Sequence, residues 1–222
     1  MRLAAPSFII SASRIENVCY LHGKVDEVEL LYFCSQQPED LPDTDEVAAL
    51  AREPMRYNIH MPYDRDLAVV ESWQAMEPFA TRLQPVNATT HTFHLQPQPD
   101  FFRHLEHFIH ATQLPISVEN GGDDAHLFSA ATALPVDFCV DIGHIIHHKR
   151  DAAAILAKHS ERITLLHLHG SNGQRDHRSL KFVDIGVLRM VKQFAVEQDV
   201  TICLEIFQED ALHESIQIMR DV

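Results

Sequence analysis

Residues 137–170 read DFCVDIGHIIHHKRDAAAILAKHSERITLLHLHG. Two apolar runs, 137–144 and 163–170, flank a segment with helical spacing at 151–159. A strand, a helix and a second strand in that order form a right-handed crossover between parallel strands. Both runs also end in groups able to bind a metal or move a proton: Asp141 and His144 in the first, His167 and His169 in the second.

Working outward, the same unit recurs along the chain. Further strand candidates lie at 3–6, 25–33, 57–61, 86–95, 115–120 and 201–207, and helical segments at 13–21, 45–52, 66–83, 99–113, 123–134, 184–197 and 209–220. Ser13 and Glu16 have the S-x-x-E form of a capping box at the start of the first helix. Eight strands alternate with eight helices, as parallel strands require. An open doubly wound sheet would place a glycine-rich phosphate loop after its first strand, and APSFIISAS is no such loop. The pattern predicts a closed (β/α)8 TIM barrel with short loops, one domain over residues 1–222, near the lower size limit of that fold.

Composition narrows the function classes. The 222 residues carry a formal charge of −14, and no block of Lys and Arg with interleaved aromatics offsets it locally, so extended nucleic-acid binding is disfavoured. No apolar run approaches the ~20 residues of a membrane span, and the start MRLAAPSFIISAS lacks a basic region followed by a long apolar core and cleavage site. The expected location is cytoplasmic. The four cysteines lack CxxC spacing and read as buried thiols. Histidine is the residue in excess: 16 are present, where a chain of this length holds about five.

In a barrel of this kind the chemistry sits at the carboxyl ends of the strands. His60 ends the third strand, His94 the fourth, Glu119 the fifth, Asp141 and His144 the sixth, His167 and His169 the seventh and Glu205 the eighth. Any one of these could be a hydrogen-bonded structural group, but six strands in succession share the feature. Like charges crowded at one mouth must be protonated or held together by cations. Imidazole nitrogen and carboxylate oxygen without thiolate suit Zn²⁺, Mn²⁺ or Fe²⁺. Three histidines are kept apart from the site: His104, His107 and His110 recur every three residues on a helix surface. His91 points to the opposite face of its strand from His94.

These motifs, VEN at 118–120, CVDIGH at 139–144, LHLHG at 166–170, DHRSL at 176–180 and CLE at 203–205, resemble the xylose-isomerase-like barrels. That superfamily includes sugar-phosphate isomerases and epimerases and the endonuclease IV type of abasic-site endonuclease. The resemblance implies a central metal site of Glu119, Asp141, His167 and Glu205, a second ion completed by His60 and His94, and a third held by His144, His177 and Asp176. In the endonuclease pattern the loop Asp stands two residues before the His, where this chain has Arg175. The amino-terminal stretch, with its APS start and VDEVELLYF strand, also resembles the cobamide-remodelling phosphodiesterases.

The leading expectation is therefore a metal-dependent phosphodiesterase with two or three divalent ions, hydrolysing the nucleotide-loop phosphodiester of a cobamide, with a small phosphorylated substrate as its partner. Glu119 and Glu205 would act as its catalytic carboxylates, and Arg175, Arg178 and Lys181 would contact the substrate phosphate. The alternative is a sugar or sugar-phosphate isomerase or epimerase, using one divalent metal and the pair Glu119 and Glu205. An abasic-site endonuclease stands third, and a non-catalytic binding barrel is the option from outside the enzymes.

Overall fold

A computed structural model describes residues 1–37, 40–122 and 124–222. Eight parallel strands close into a barrel in the order β1 to β8: Arg2–Pro6, Glu27–Leu31, Arg56–His60, His91–His94, Ile116–Glu119, Asp137–Asp141, Ile163–Leu168 and Thr201–Leu204. β1 pairs with β8 through Leu3 and Ile202, which closes the ring and leaves no strand edge open. The (β/α)8 expectation holds.

Alternation along the strands divides the molecule into two environments. Outward positions such as Val28, Leu30, Phe93, Val118, Phe138, Val140, Leu166 and Ile202 are buried and apolar and meet the helices. Each such side chain contributes about 1.5–3 kcal/mol on burial. The largest aromatic knot lies here: Trp73 on α3 (Val70–Leu83) stands 5.2 Å from both Phe93 and Phe108, the latter on α4 (Pro99–Thr112). The Trp73 indole N–H donates to the Leu67 carbonyl at 2.7 Å, so its polar end is satisfied.

Inward positions are polar to an extent unusual for a packed barrel. Ala4, Cys139, Leu165 and Cys203 form a small apolar layer inside. Glu27, Asn58 and Thr201 are buried near the amino ends of their strands, and His60, Glu119, Asp141 and His167 near the carboxyl ends. Sequence-expected polar strand ends thus share one mouth.

The first helix, α1 (Arg14–Leu21), carries the capping box read from the sequence: Ser13 Oγ accepts the Glu16 N–H while the Glu16 carboxylate accepts the Ser13 N–H at 2.9 Å. Several boundaries differ from expectation, three of them with a local cause or consequence. The run 86–95 yields a strand only at His91–His94, because a 3-10 turn at Gln84–Val86 ends on Asn87 in the left-handed region, φ 54°. Run 137–144 stops being strand at Asp141, whose carboxylate accepts the His144 N–H at 2.8 Å and starts a short helix at Ile142–His147. The helix expected at 123–134 shrinks to Ala125–Leu127 and Phe128–Ala131, and Asp123 lies outside the described residues.

Cys139 and Cys203 are buried as expected, whereas Cys19 is exposed on the solvent side of α1. Among the described residues no helix is long and apolar enough to cross a membrane.

Candidate active site and metal centre

The carboxyl ends of β5 to β8 bring Glu119, Asp141, His167 and Glu205 together. One ligand atom from each lies within 4.8 Å of the others, and all four residues are buried. His167 Nδ1 stands 3.0 Å from Glu119 Oε1 and 3.4 Å from Glu205 Oε2. Register explains the convergence, since Asp141 pairs with His167 across β6 and β7, and His94 with Glu119 across β4 and β5.

Beside Glu119, the ends of β3 and β4 supply two more imidazoles. His60 Nδ1 donates to the Met61 carbonyl at 3.0 Å, and its Nε2 stands 3.0 Å from His94 Nε2 and 3.4 Å from Glu119 Oε2. Tyr63 stacks on His94 with ring centroids 5.5 Å apart; Phe33 lies edge-on to Tyr63 at 6.2 Å, and Phe8 edge-on to Phe33 at 5.0 Å, which continues an aromatic wall along the β1 to β3 side of the mouth.

On the far side, His144, His169 and His177 form a three-imidazole cluster with ligand atoms within 4.8 Å. His144 Nδ1 is 3.6 Å from Asp176 Oδ2, so the Asp adjacent to the loop histidine also reaches this corner. The His177 N–H donates to His169 Nδ1 at 3.0 Å, which puts the ring proton of a neutral His169 on Nε2, 3.3 Å from Asp141 Oδ1. Gly143 makes room for this ring: a Cβ there would sit 2.4 Å from His169 ring atoms.

The three cations proposed for substrate phosphate do not join these clusters. Arg175 is exposed in a turn whose backbone N–H groups bond Asn172 Oδ1, and Arg178 forms a backbone bridge with Gly170. Lys181 pairs with Glu214 at 3.1 Å. His91, as expected, faces away from the mouth; its Nδ1 bonds the Pro115 carbonyl at 3.2 Å and burial lowers its pKa to about 4.

Sequence reading overlooked Glu29. It lies inside β2 with no exposed surface, and His167 Nε2 is 2.8 Å from its Oε2. The signal was present as two acids, Glu27 and Glu29, at a spacing of two within an otherwise apolar strand, which puts both on the inner face.

Burial acts to raise the pKa of every carboxylate here, yet the surrounding imidazoles reverse the balance. Glu119 is held well below its ordinary value by His167, His94 and His60, Glu205 is lowered by His167, and Asp141 is lowered to about 2 by His169 and His144. The site is thus built for ionised carboxylates. Two of their buried oxygens, Glu119 Oε2 and Asp141 Oδ2, have no hydrogen-bond partner among the described residues. Unpartnered, ionised oxygens beside imidazole nitrogens fit a divalent cation, and the donor set suits Zn²⁺, Mn²⁺ or Fe²⁺.

No protein-family model matches the chain, and no curated protein matches it. Solved structures do match in fold. The chain superposes with a TM-score of 0.80 on a D-tagatose 3-epimerase-like protein, at 15% identity and covering 100% of this chain and 96% of that one. For the 3-keto-D-glucoside 4-epimerase YcjR from E. coli the values are 0.76, 12%, 100% and 100%. For the D-allulose 3-epimerase from Methylomonas sp. in complex with D-allulose they are 0.74, 10%, 100% and 96%. What the chain shares with them is the fold, the closed (β/α)8 barrel.

These matches correct the leading functional expectation. These three neighbours are sugar epimerases or epimerase-like, which favours the isomerase or epimerase alternative over a cobamide phosphodiesterase, and a sugar over a corrinoid. The misreading has a physical origin. Imidazole and carboxylate at the strand ends are the residue types that both hydrolysis and proton transfer would use, so the residue types alone do not distinguish the two.

Proposed function

We propose that the protein is a divalent-metal-dependent isomerase or epimerase of a small sugar or sugar phosphate, moving a proton at a carbon beside a carbonyl. The observation that carries this reading is the buried quartet of Glu119, Asp141, His167 and Glu205, with two ionised glutamates reaching the same imidazole nitrogen from β5 and β8. The four residues would hold one Zn²⁺, Mn²⁺ or Fe²⁺, which when bound supplies Lewis-acid polarisation of the substrate's carbonyl and hydroxyl oxygens.

The rest of the work falls to side chains. One glutamate removes the proton next to the carbonyl, and the other, once it has taken up a proton from solvent or a substrate hydroxyl, returns a proton to the resulting enediolate. Delivery to the opposite face gives an epimer, and delivery to the neighbouring carbon an isomer. His60 and His94 on one side, and His144, His169 and His177 on the other, line the mouth with groups that pair sugar hydroxyls. His144, His177 and Asp176 would take a further ion only if one is present; the reaction as written does not need it. The aromatic wall of Tyr63, Phe33 and Phe8 shields the site from water and meets the apolar face of a ring.

The test is a panel of ketopentoses, ketohexoses and their phosphates incubated with Mn²⁺-loaded protein in D₂O. Deuterium should enter at the carbon beside the carbonyl, seen by NMR, and Glu119→Gln and Glu205→Gln should each lower the rate by about 10³. A loaded, folded protein that exchanges no proton on any sugar in the panel would overturn the reading.

A further inference from the structure

We infer that Glu29 is a positioning residue that sets the proton and ring plane of His167, leaving His167 Nδ1 free as the ligand atom; this rests on the metal reading above. Glu29 and His167 both have no exposed surface, and the 2.8 Å contact between Glu29 Oε2 and His167 Nε2 is the shortest the imidazole makes to a carboxylate. The other oxygen, Oε1, accepts the Cys203 thiol at 3.6 Å. No other side chain competes for Glu29 among the hydrogen bonds of the described residues.

An ionised carboxylate can only accept, and a neutral imidazole carries one proton. With a cation held between Nδ1 and the carboxylates of Glu119 and Glu205, which stand 3.0 and 3.4 Å from that nitrogen, Glu29 would keep the ring's one proton on Nε2 and leave the Nδ1 lone pair to the ion. Charge works in the same direction as geometry, because a carboxylate behind an imidazole makes the far nitrogen a stronger donor. The position is also expensive. A carboxylate in the barrel interior with one imidazole and one thiol as partners is costly to bury unless it is needed for its charge.

Metal binding rather than activity is the measurement. With the full chain, Mn²⁺ affinity is read from the free-ion EPR signal for wild type, Glu29→Gln, His167→Gln and the double variant, with circular dichroism confirming the fold. Glu29→Gln keeps the shape and loses the charge; it should weaken Mn²⁺ binding by about 10- to 100-fold. In the His167→Gln background the same change should cost almost nothing, since the effect acts through that ring. A loss under about twofold, or an equal loss in both backgrounds, would overturn the inference.

Should Glu29→Gln not fold, long-range ¹H–¹⁵N NMR on Zn²⁺-loaded wild type decides the matter. The inference requires the His167 proton on Nε2, and a proton on Nδ1 overturns it. Wild type that takes up no divalent ion sinks the metal reading together with this one, a result recognised before any variant is made.

Discussion

The two ends of the barrel interior bury carboxylates in opposite ways. At the amino end, Glu27 accepts hydrogen bonds from Asn58 Nδ2 at 2.8 Å, Thr89 Oγ1 at 3.2 Å and Thr201 Oγ1 at 3.3 Å, with Arg56 Nε at 3.6 Å. At the carboxyl end, Glu119 and Asp141 each keep a buried oxygen with no hydrogen-bond partner among the described residues. Both oxygens of the first carboxylate are partnered without a ligand, whereas each of the other two carboxylates leaves one oxygen unpartnered. Since a buried charge costs several kcal/mol unless compensated, the difference separates a structural carboxylate from one prepared for a cation.

The largest expected effect tests that incompleteness directly. Mn²⁺ at a thousandfold its dissociation constant should add about 4 kcal/mol to the unfolding free energy of wild type. Glu119→Gln should remove most of that gain and should also leave the metal-free protein less stable than metal-free wild type, because the interactions of the charged carboxylate with His167, His94 and His60 are lost. Denaturant melts with and without metal check both halves. Equal metal stabilisation of wild type and variant would erase the distinction between the two ends.

His91 is where the comparison could break, since its Nε2 is also buried without a hydrogen-bond partner among the described residues. Here the orphan atom belongs to a ring that burial keeps neutral, with a pKa lowered from 6.5 to about 4. The unfolded chain therefore takes up a proton at a pH where the folded one does not. The stability this ring contributes is complete above pH 6.5 and is lost as pH falls towards 4, by about 3 kcal/mol. The stability difference between wild type and His91→Gln should narrow over that window by this amount, measured by urea melts at successive pH values. A pH-independent difference would mean that the ring is charged when folded, and that an orphan nitrogen can mark a binding site after all.

Much of this was legible in the chain. The alternation of apolar runs with helical segments gave the barrel, and period-two reading placed His60, His94, Glu119, Asp141, His167 and Glu205 at one mouth. Partners were not legible, because register across strands decides which oxygen meets which nitrogen. Glu29 passed as part of an apolar strand until its contact with His167 was visible, and the strand run was carried on to His144 where Asp141 in fact ends it and caps the helix that follows. The reaction was the least legible. The same ligand types at the same strand ends serve hydrolysis and proton transfer alike, so counting histidines could not choose between them.

The smallest effect addresses the completed end. Glu27→Ala removes the acceptor shared by Asn58, Thr89 and Thr201, while Arg56 is more than half exposed and can turn to water. Leaving buried donors unpaired costs about 2 kcal/mol, and a 190 Å³ groove lined by Arg2, Asn58 and Thr201 lets water recover part of it. Mn²⁺ affinity should stay within about twofold of wild type, because additivity holds between sites that share no partners. If Glu27→Ala instead weakens metal binding as Glu29→Gln is expected to, then the lumen acts as one electrostatic unit. Position along β2, two residues nearer the mouth, would then no longer be what distinguishes Glu29 from Glu27.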